Sequence, residues 1–89
     1  MFRVEWLREA VDELAEICIN ADSRSRQAIT EETSNLDRKL QNDPFREGES
    51  REGEVRVLFT HPLGVLFEVD AERKIVWILH IWAFRQGGS

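Results

Sequence analysis

The spacing of the hydrophobic residues changes twice along this chain and divides it into a strand, a helical region and further strands. Phe2, Val4 and Trp6 alternate with charged residues, which is the two-residue period of a short β-strand. From Leu7 to about residue 41 the hydrophobic residues recur at intervals of three and four, as they do on one face of an α-helix. From Val55 the strand period returns. A chain of this order must fold as a mixture of helices and sheet.

The helical region is predicted to form two helices, residues 7–20 and 23–41, that pair as an antiparallel hairpin. Asp22 or Ser23 can cap the second helix, because a short side chain with an oxygen accepts a hydrogen bond from a free backbone N–H. Asp43 and Pro44 end it, since the residue before a proline avoids the α region. The helical spacing directs five residues toward the sheet: Leu14, Cys18, Ile29, Leu36 and Leu40.

Residues 44–53 are predicted to be a loop, and three strands then follow as an antiparallel meander. The strands span residues 55–60, 63–69 and 74–84, with turns at 61–64 and 70–73. The last strand is apolar on both faces except at His80, which is typical of a strand that lies centrally or is covered on both sides. Residues 86–89 are expected to be a disordered tail.

These elements predict one α+β domain over residues 1–85, with both helices on one face of a four-stranded, mostly antiparallel sheet. If every connection reverses the chain, the first strand runs antiparallel to both the second and the fourth strand. Chain direction therefore leaves open which of the two it pairs with. The second face of the sheet is uncovered in this arrangement, and Trp82 and Phe84 are candidates for it. An open face that carries aromatic residues invites a partner.

Charge and cysteine content narrow the classes of function. The net charge is −5, and residues 1–43 contribute −4 of it through six basic and ten acidic side chains. Phosphate contacts dominate affinity for nucleic acids, so we expect no tight binding to free nucleic acid. Cys18 is the single cysteine and cannot form an internal disulfide, which indicates a reducing, cytoplasmic location. We expect no signal peptide and no membrane contact, since no apolar run approaches about 18 residues.

The element order, together with residues 44–85, resembles the RelE/ParE superfamily of bacterial toxins. The segments that carry the resemblance are Gly48-Glu49-Ser50-Arg51, the strand with Val55-Arg56-Val57, and the apolar strands at 65–70 and 75–82. The resemblance implies the toxin of a type II toxin–antitoxin pair, also called a plasmid stabilisation protein, held by an antitoxin protein. RelE-like members cleave mRNA in the ribosomal decoding site. ParE-like members inhibit DNA gyrase and lack the nuclease residues.

RNA cleavage through the 2′-hydroxyl needs a general base, cations that stabilise the charge on the phosphate, and a general acid. The candidate catalytic residues are Glu49 as base, His80 as acid, and Arg51, Arg56 and Arg85 as cations. His61 is a further candidate, with an exposed turn position as its structural alternative.

Each of these residues also has a structural interpretation without catalysis. Glu49 and Arg51 fit a solvated loop of alternating charges. Arg56 stands on the open face if the neighbouring valines face the helices, where it can bind a phosphate or form a salt bridge. His80 fits a partly buried, hydrogen-bonded histidine, and the tryptophans fit core or interface anchors.

The sequence departs from the cleaving pattern at several positions. The arginine that RelE-like members carry at the start of the third strand corresponds to Gly64. Of residues 83–86, which correspond to their basic and aromatic C-terminal residues, only Arg85 is basic, and the chain contains no tyrosine. These departures and the acidic charge favour a catalytically silent binding module. The compact size and the retained arginines favour a toxin whose target is ribosome-bound mRNA or gyrase. We expect no cofactor and no metal, because two distant histidines and one cysteine form no recognised ligand spacing.

Overall fold

The structure, a computed structural model, describes residues 1–84. Arg85 and the expected disordered tail therefore lie outside the described residues. The two predicted helices are confirmed within one residue at each end. The elements in chain order are β1 (Arg3–Trp6), α1 (Arg8–Asn20), α2 (Ser23–Asn42), a short 3-10 helix (Pro44–Arg46), β2 (Glu49–Ser50), β3 (Val55–Thr60), β4 (Leu63–Asp70) and β5 (Ile75–Ala83).

The strands form one mixed sheet of five strands in the order β1-β5-β4-β3-β2. The meander β3-β4-β5 is antiparallel as predicted. The fifth strand, β2, lies in the segment predicted to be a loop and pairs with β3 through Glu49 and Ser50. At the other edge β1 pairs with β5, and the pairing is parallel, with Arg3 opposite Ile75 and Trp6 opposite Ile78.

The parallel pairing corrects the prediction that β1 runs antiparallel to the last strand. The prediction assumed that α1 reverses the chain, but α1 continues in the direction of β1. At its start the Leu7 N–H donates to the Ile78 carbonyl over 3.0 Å. Further along α1, a Glu13 carboxylate oxygen accepts from the backbone N–H of Ile81, also over 3.0 Å. Helix α1 therefore runs in the same direction as β5.

Helix α2 makes the reversal and returns to the beginning of β1. Its carboxylate at Glu32 accepts from the Thr60 hydroxyl over 2.5 Å, at the far end of β3. Near its C-terminus, the Gln41 carbonyl accepts from the Phe2 N–H over 2.9 Å. The two helices are thus antiparallel to each other, as predicted.

The core lies between α2 and the central strands. Of the predicted helix residues, Ile29, Leu36 and Leu40 are buried, and Leu14 and Cys18 are half-buried against the same cluster. The sheet contributes Phe67 and the alternate residues around it. The complete set of buried sheet residues in this cluster is Leu63, Val65, Phe67, Val69, Val76, Ile78 and Ile81.

Helix α2 begins and ends as its sequence indicates. Asp22 is the N-cap, and its carboxylate accepts from the Ser25 N–H over 2.8 Å. The helix ends at Asn42, immediately before the Asp43-Pro44 pair. Among residues 1–84 no helix is both long and apolar enough to cross a membrane.

Candidate functional site

The uncovered sheet face consists of the side chains that alternate with the core residues. Directly opposed residues on antiparallel strands share a face, so the ladder defines its rows. One row is Phe59, Gly64 and Trp82, and a second is Val57, Leu66 and His80. This surface, called here the open face, has no helix on it among the described residues.

An aromatic cluster occupies the end of the open face where β3 turns into β4. The Phe59 ring is 57% exposed and meets Trp82 edge to face, with ring centroids 6.0 Å apart. Phe84 contacts both Phe59 and His61, at centroid distances of 5.6 Å. The aromatic cluster is therefore Phe59, His61, Trp82 and Phe84. The prediction that Trp82 lies on the open face is confirmed by the register.

The Trp82 indole lies over Gly64. A Cβ at position 64 would overlap the indole ring, closer than real Cβ atoms approach any atom. The sequence resemblance aligns Gly64 with an arginine of RelE-like members. The space that a side chain at position 64 would need is filled by an aromatic ring that is itself one third exposed.

Glu49 and His80 lie on the same face but far from each other. Glu49 is opposite Val57, which is opposite Leu66, which is opposite His80. Three strand spacings of about 4.8 Å separate the ends of this row, so the two backbones are about 14 Å apart. A general base and a general acid must both reach one phosphodiester group. The arrangement does not bring the predicted base and acid together.

Arg56 lies on the helix face of the sheet, which corrects the orientation that would have placed it on the open face. Its partner across the ladder is Phe67, a core residue, and the neighbouring Val57 faces the other way. The guanidinium donates to three backbone carbonyls: Nε to Glu47 over 3.0 Å, and Nη2 to Phe45 and to Gly48, both over 3.2 Å. Arg56 therefore clamps the segment between α2 and β2.

Of the other predicted site residues, the two that the structure describes, Arg51 and His61, are exposed. Arg51 follows β2 and is fully on the surface, where its N–H donates to the Val55 carbonyl over 2.9 Å. His61 is in the exposed turn, and Arg85 lies outside the described residues. Within residues 1–84, no three His, Cys, Asp or Glu side chains are grouped so as to hold a metal ion.

His80 reaches the open face because of a bulge in β5. Leu66 is opposite His80 and Phe67 is opposite Ile78, so Leu79 has no partner. The bulge shifts the alternation by one residue. His80 and Trp82 therefore do not share a face with the buried Val76, although strict alternation placed all three on one side.

The imidazole of His80 has a carboxylate beside it. Its Nδ1 is 3.3 Å from both carboxylate oxygens of Glu13. The same carboxylate accepts the Ile81 N–H, on the β5 edge that β1 no longer covers. Glu13 thus attaches α1 to an otherwise unpaired strand edge.

Sequence reasoning missed two residues of this surface. Phe59 has the parity of Val55 and Val57, so the assumption that these valines face the helices directs Phe59 away from the open face. Glu13 cannot be identified from the sequence, because its contact with β5 depends on the direction that α1 takes in the fold.

A cleft of about 780 Å³ adjoins the aromatic cluster. It is bounded by the α1–α2 corner, the first half of α2 and the turn that contains His61 and Pro62. The cleft is lined by three acidic residues, Asp22, Glu31 and Glu32, and by one arginine, Arg24. Its wall is therefore acidic.

Comparison with known proteins gives no match by sequence and clear matches by structure. No protein-family model matches the chain, and no curated protein does. In the chromosomal ParDE toxin–antitoxin system of P. aeruginosa, a chain with 22% identity superposes with a TM-score of 0.74, over 96% of this chain and 98% of that one. In the RelBE2 toxin–antitoxin complex of Mycobacterium tuberculosis the identity is 18% and the TM-score 0.70, over 92% of this chain and 90% of that one. The isolated E. coli RelE toxin has 9% identity and a TM-score of 0.64, over 98% of this chain and 88% of that one.

The chain has the RelE/ParE toxin fold. The fold that the sequence resemblance implied is thereby confirmed over nearly the whole chain. In this RelE/ParE fold the proposed cleavage residues are distributed over both sides of the sheet. Gly64, which the sequence resemblance aligns with a RelE-like arginine, is covered by Trp82.

Proposed function

We propose that this chain is the toxin-type subunit of a type II toxin–antitoxin pair and acts by binding a protein target, in the manner of ParE-like members on gyrase, rather than by cleaving mRNA. The assignment to a toxin–antitoxin pair is supported by the fold. It matches chains of toxin–antitoxin complexes along nearly their full length. An antitoxin protein is then the expected partner in the cytoplasm.

The geometry of the open face supports binding over cleavage. The candidate base and acid are separated by two intervening strands, Glu49 on β2 and His80 on β5. Arg56 donates from Nε and Nη2 to three backbone carbonyls on the opposite side of the sheet. Two of the residues that a phosphoryl-transfer site needs are thus too far apart, and a third is otherwise engaged.

The aromatic cluster supplies what a protein contact needs. Aromatic side chains dominate the binding energy of protein interfaces, where they bury a large area at small entropic cost. Phe59 and Trp82 are both exposed although they belong to regular strands. We place the target contact on this cluster.

The test is growth after induction of the chain in a bacterial host, alone and with its antitoxin. We expect arrest by the wild type, rescue by the antitoxin, no new 5′ ends in cellular mRNA, and altered supercoiling of a reporter plasmid. Glu49→Ala, Arg51→Ala and His80→Ala are expected to arrest growth like the wild type. Phe59→Ala and Trp82→Ala are expected to lose arrest.

Soluble yield and thermal melting of each variant control for folding. Loss of one charge-stabilising group from a nuclease costs about 100- to 1,000-fold in rate. Ribosome-dependent mRNA cuts that disappear in Arg51→Ala or Glu49→Ala would therefore reject the binding mechanism. Antitoxin binding without any arrest would assign the silent module, and neither arrest nor antitoxin binding would reject the toxin–antitoxin assignment.

A further inference from the structure

Trp77 stands on the open face beside a hollow lined by carboxylates. Its partner across the ladder is Glu68, which alternates with the core residues of β4. This Trp77 hollow measures about 310 Å³, and its described lining contains no lysine or arginine. Its acidic residues are Glu54, Glu68, Asp70 and Glu72. Arg73 lies 3.9 Å from Asp70, and within residues 1–84 the other three carboxylates belong to no ion pair.

Trp82 has a second hollow beside it, where α1 borders the edge of β5. This Trp82 hollow measures about 370 Å³, and again its described lining contains no lysine or arginine. Its acidic residues are Asp12, Glu13 and Glu16. Arg8 pairs with Asp12 over 3.4 Å without lining the hollow, and Glu13 lies beside His80. Both tryptophans of the open face are therefore flanked by an excess of negative charge.

A hollow that combines an indole ring with carboxylates is suited to the side chain of an arginine or a lysine. The cation is attracted to the electron-rich ring and pairs with the carboxylates at the same time. A guanidinium does both best, because it is planar, stacks on aromatic rings and binds a carboxylate with two parallel hydrogen bonds. Tryptophan and arginine are also enriched together at protein interfaces. The chemistry of both hollows therefore indicates a cationic partner.

The distance between the two hollows determines the size of this partner. Trp77 and Trp82 are five residues apart on β5, which corresponds to about 15 Å at the rise of a β-strand. One cation cannot occupy both hollows. The partner must carry at least two basic side chains at this separation, and a basic patch of that extent is typical of proteins that bind nucleic acid.

Charge excludes the other occupants of the open face. A second copy of the chain has the same net charge of −5 and presents the same two acidic hollows, so two open faces repel each other. Nucleic acids and anionic lipid surfaces are repelled for the same reason. A basic protein surface is the occupant that satisfies both the aromatic and the acidic residues.

We infer that the target docks on the open face through a basic surface of the kind that binds nucleic acid, with an arginine or lysine in each of the two hollows. The inference rests on the proposed function, which places the target contact on the aromatic cluster, because Trp82 belongs to both that cluster and the second hollow. The antitoxin is then bound elsewhere on the chain. Docking of this kind is accelerated by the opposite charges and weakened by salt.

The first experiment titrates the purified full chain with a synthetic peptide of alternating arginine and glycine and follows the indole N–H signals by NMR. A peptide of about eight residues spans roughly 26 Å when extended and so reaches both hollows. We expect the Trp77 and Trp82 signals to shift. The Trp6 signal should stay in place, because its Nε1–H donates to Asp37 on the helix side over 3.3 Å. A peptide with neutral citrulline in place of arginine should shift none of them.

Two double variants remove charge from one hollow each. Glu68→Gln with Glu72→Gln should weaken the response of Trp77, and Asp12→Asn with Glu16→Gln that of Trp82, in each case by about fivefold in peptide affinity. The matched control is Glu31→Gln with Glu47→Gln, which removes the same charge outside both hollows and should leave both responses intact. An equal response of all three indoles, or an equal loss in the control variant, would overturn the inference.

The second experiment distinguishes the target from the antitoxin. In the growth assay we expect both double variants of the hollows to lose arrest and still to co-purify with the antitoxin, whereas the control variant behaves like the wild type. Arrest that persists in both double variants would overturn the inference, and loss of antitoxin binding would assign the hollows to the antitoxin instead. The indole signals do not depend on toxicity. A wild type without arrest therefore rejects the proposed function, and a missing peptide response rejects this inference.

Discussion

The indole of Trp82 rests on the backbone of Gly64, in the space that any side chain at position 64 would occupy. The two residues face each other across β4 and β5, and Phe59 continues the row on β3. The absence of a side chain at one position thus permits the aromatic surface at the other. A glycine at position 64 and the aromatic cluster are therefore linked, because a side chain at 64 would displace Trp82.

The contact between these two residues predicts whether a substitution at position 64 stabilises or destabilises the protein. Alanine in place of glycine within a strand normally stabilises, by roughly 0.5–1 kcal/mol. We expect Gly64→Ala to destabilise instead, by about 1–3 kcal/mol, because Trp82 must move away. In a Trp82→Ala background the same substitution should be neutral or stabilising. Urea unfolding of the four proteins measures this, and an equal cost in both backgrounds would contradict the packing argument.

Gly48 and Gly53 form a matched pair for backbone strain. Both have positive φ, 70° at Gly48 and 58° at Gly53, but only Gly48 has a close neighbour, the Val57 carbonyl. Gly53→Ala should cost about 1 kcal/mol, the strain of a left-handed residue alone. Gly48→Ala should cost at least about 1 kcal/mol more, since its Cβ meets a backbone that cannot yield. Chemical denaturation of both variants tests the difference, and equal costs would show that β2 can shift away from β3.

We predict that Arg56 contributes to the free energy of unfolding of the protein, whether or not it takes part in any reaction. Its three hydrogen bonds to carbonyls hold the segment before β2. Arg56→Lys keeps the charge but cannot reproduce the planar fork, so we expect a loss of about 1–2 kcal/mol. Arg51→Ala on the surface should change the free energy of unfolding by less than about 0.5 kcal/mol. An Arg56→Lys variant as stable as the wild type would remove the structural interpretation.

Asp22 predicts a pH dependence of stability. The hydrogen bond from the Ser25 backbone, with that from its hydroxyl, lowers the pKa of the Asp22 carboxyl below its usual 3.8. A folded-state pKa below the unfolded one stabilises the protein above pH 3.8, and this contribution is lost as the pH falls through the folded pKa. Asp22→Asn keeps a capping side chain that does not titrate. Its melting temperature should fall below that of the wild type at neutral pH and converge with it in acid, whereas a constant difference would exclude a charge effect.

The two halves of the fold were predictable to different degrees. The helices were predicted within one residue because their signals are local: the spacing of Ile29, Leu36 and Leu40, and the cap at Asp22. Strand β2 was missed, since two polar residues show no periodicity and become a strand only through pairing with β3. The clamp of Arg56 on the preceding carbonyls holds them in that position.

The composition of the candidate site depends on the register of the strands, which cannot be read reliably from the sequence. The unpaired Leu79 reverses the alternation of β5, and a one-residue shift moves every following side chain to the opposite face. For this reason His80 and Trp82 lie on the face opposite to Val76, although the three residues have the same parity. Arg56 faced the helices because Val57 packs on the open side instead of in the main core.

The sequence by itself determined the two helices, β1 and the three strands of the meander, the end at which α2 is capped by Asp22 or Ser23, and which face of α2 is buried. These properties follow from periodicity and from hydrogen bonds between near neighbours, which every short segment carries within itself. Only the tertiary structure decided that α1 continues along β5, that β1 is parallel to it, and that Glu49 and His80 stand apart. These relationships depend on contacts between residues distant in the chain, such as Glu13 with Ile81, whose partners no local pattern specifies.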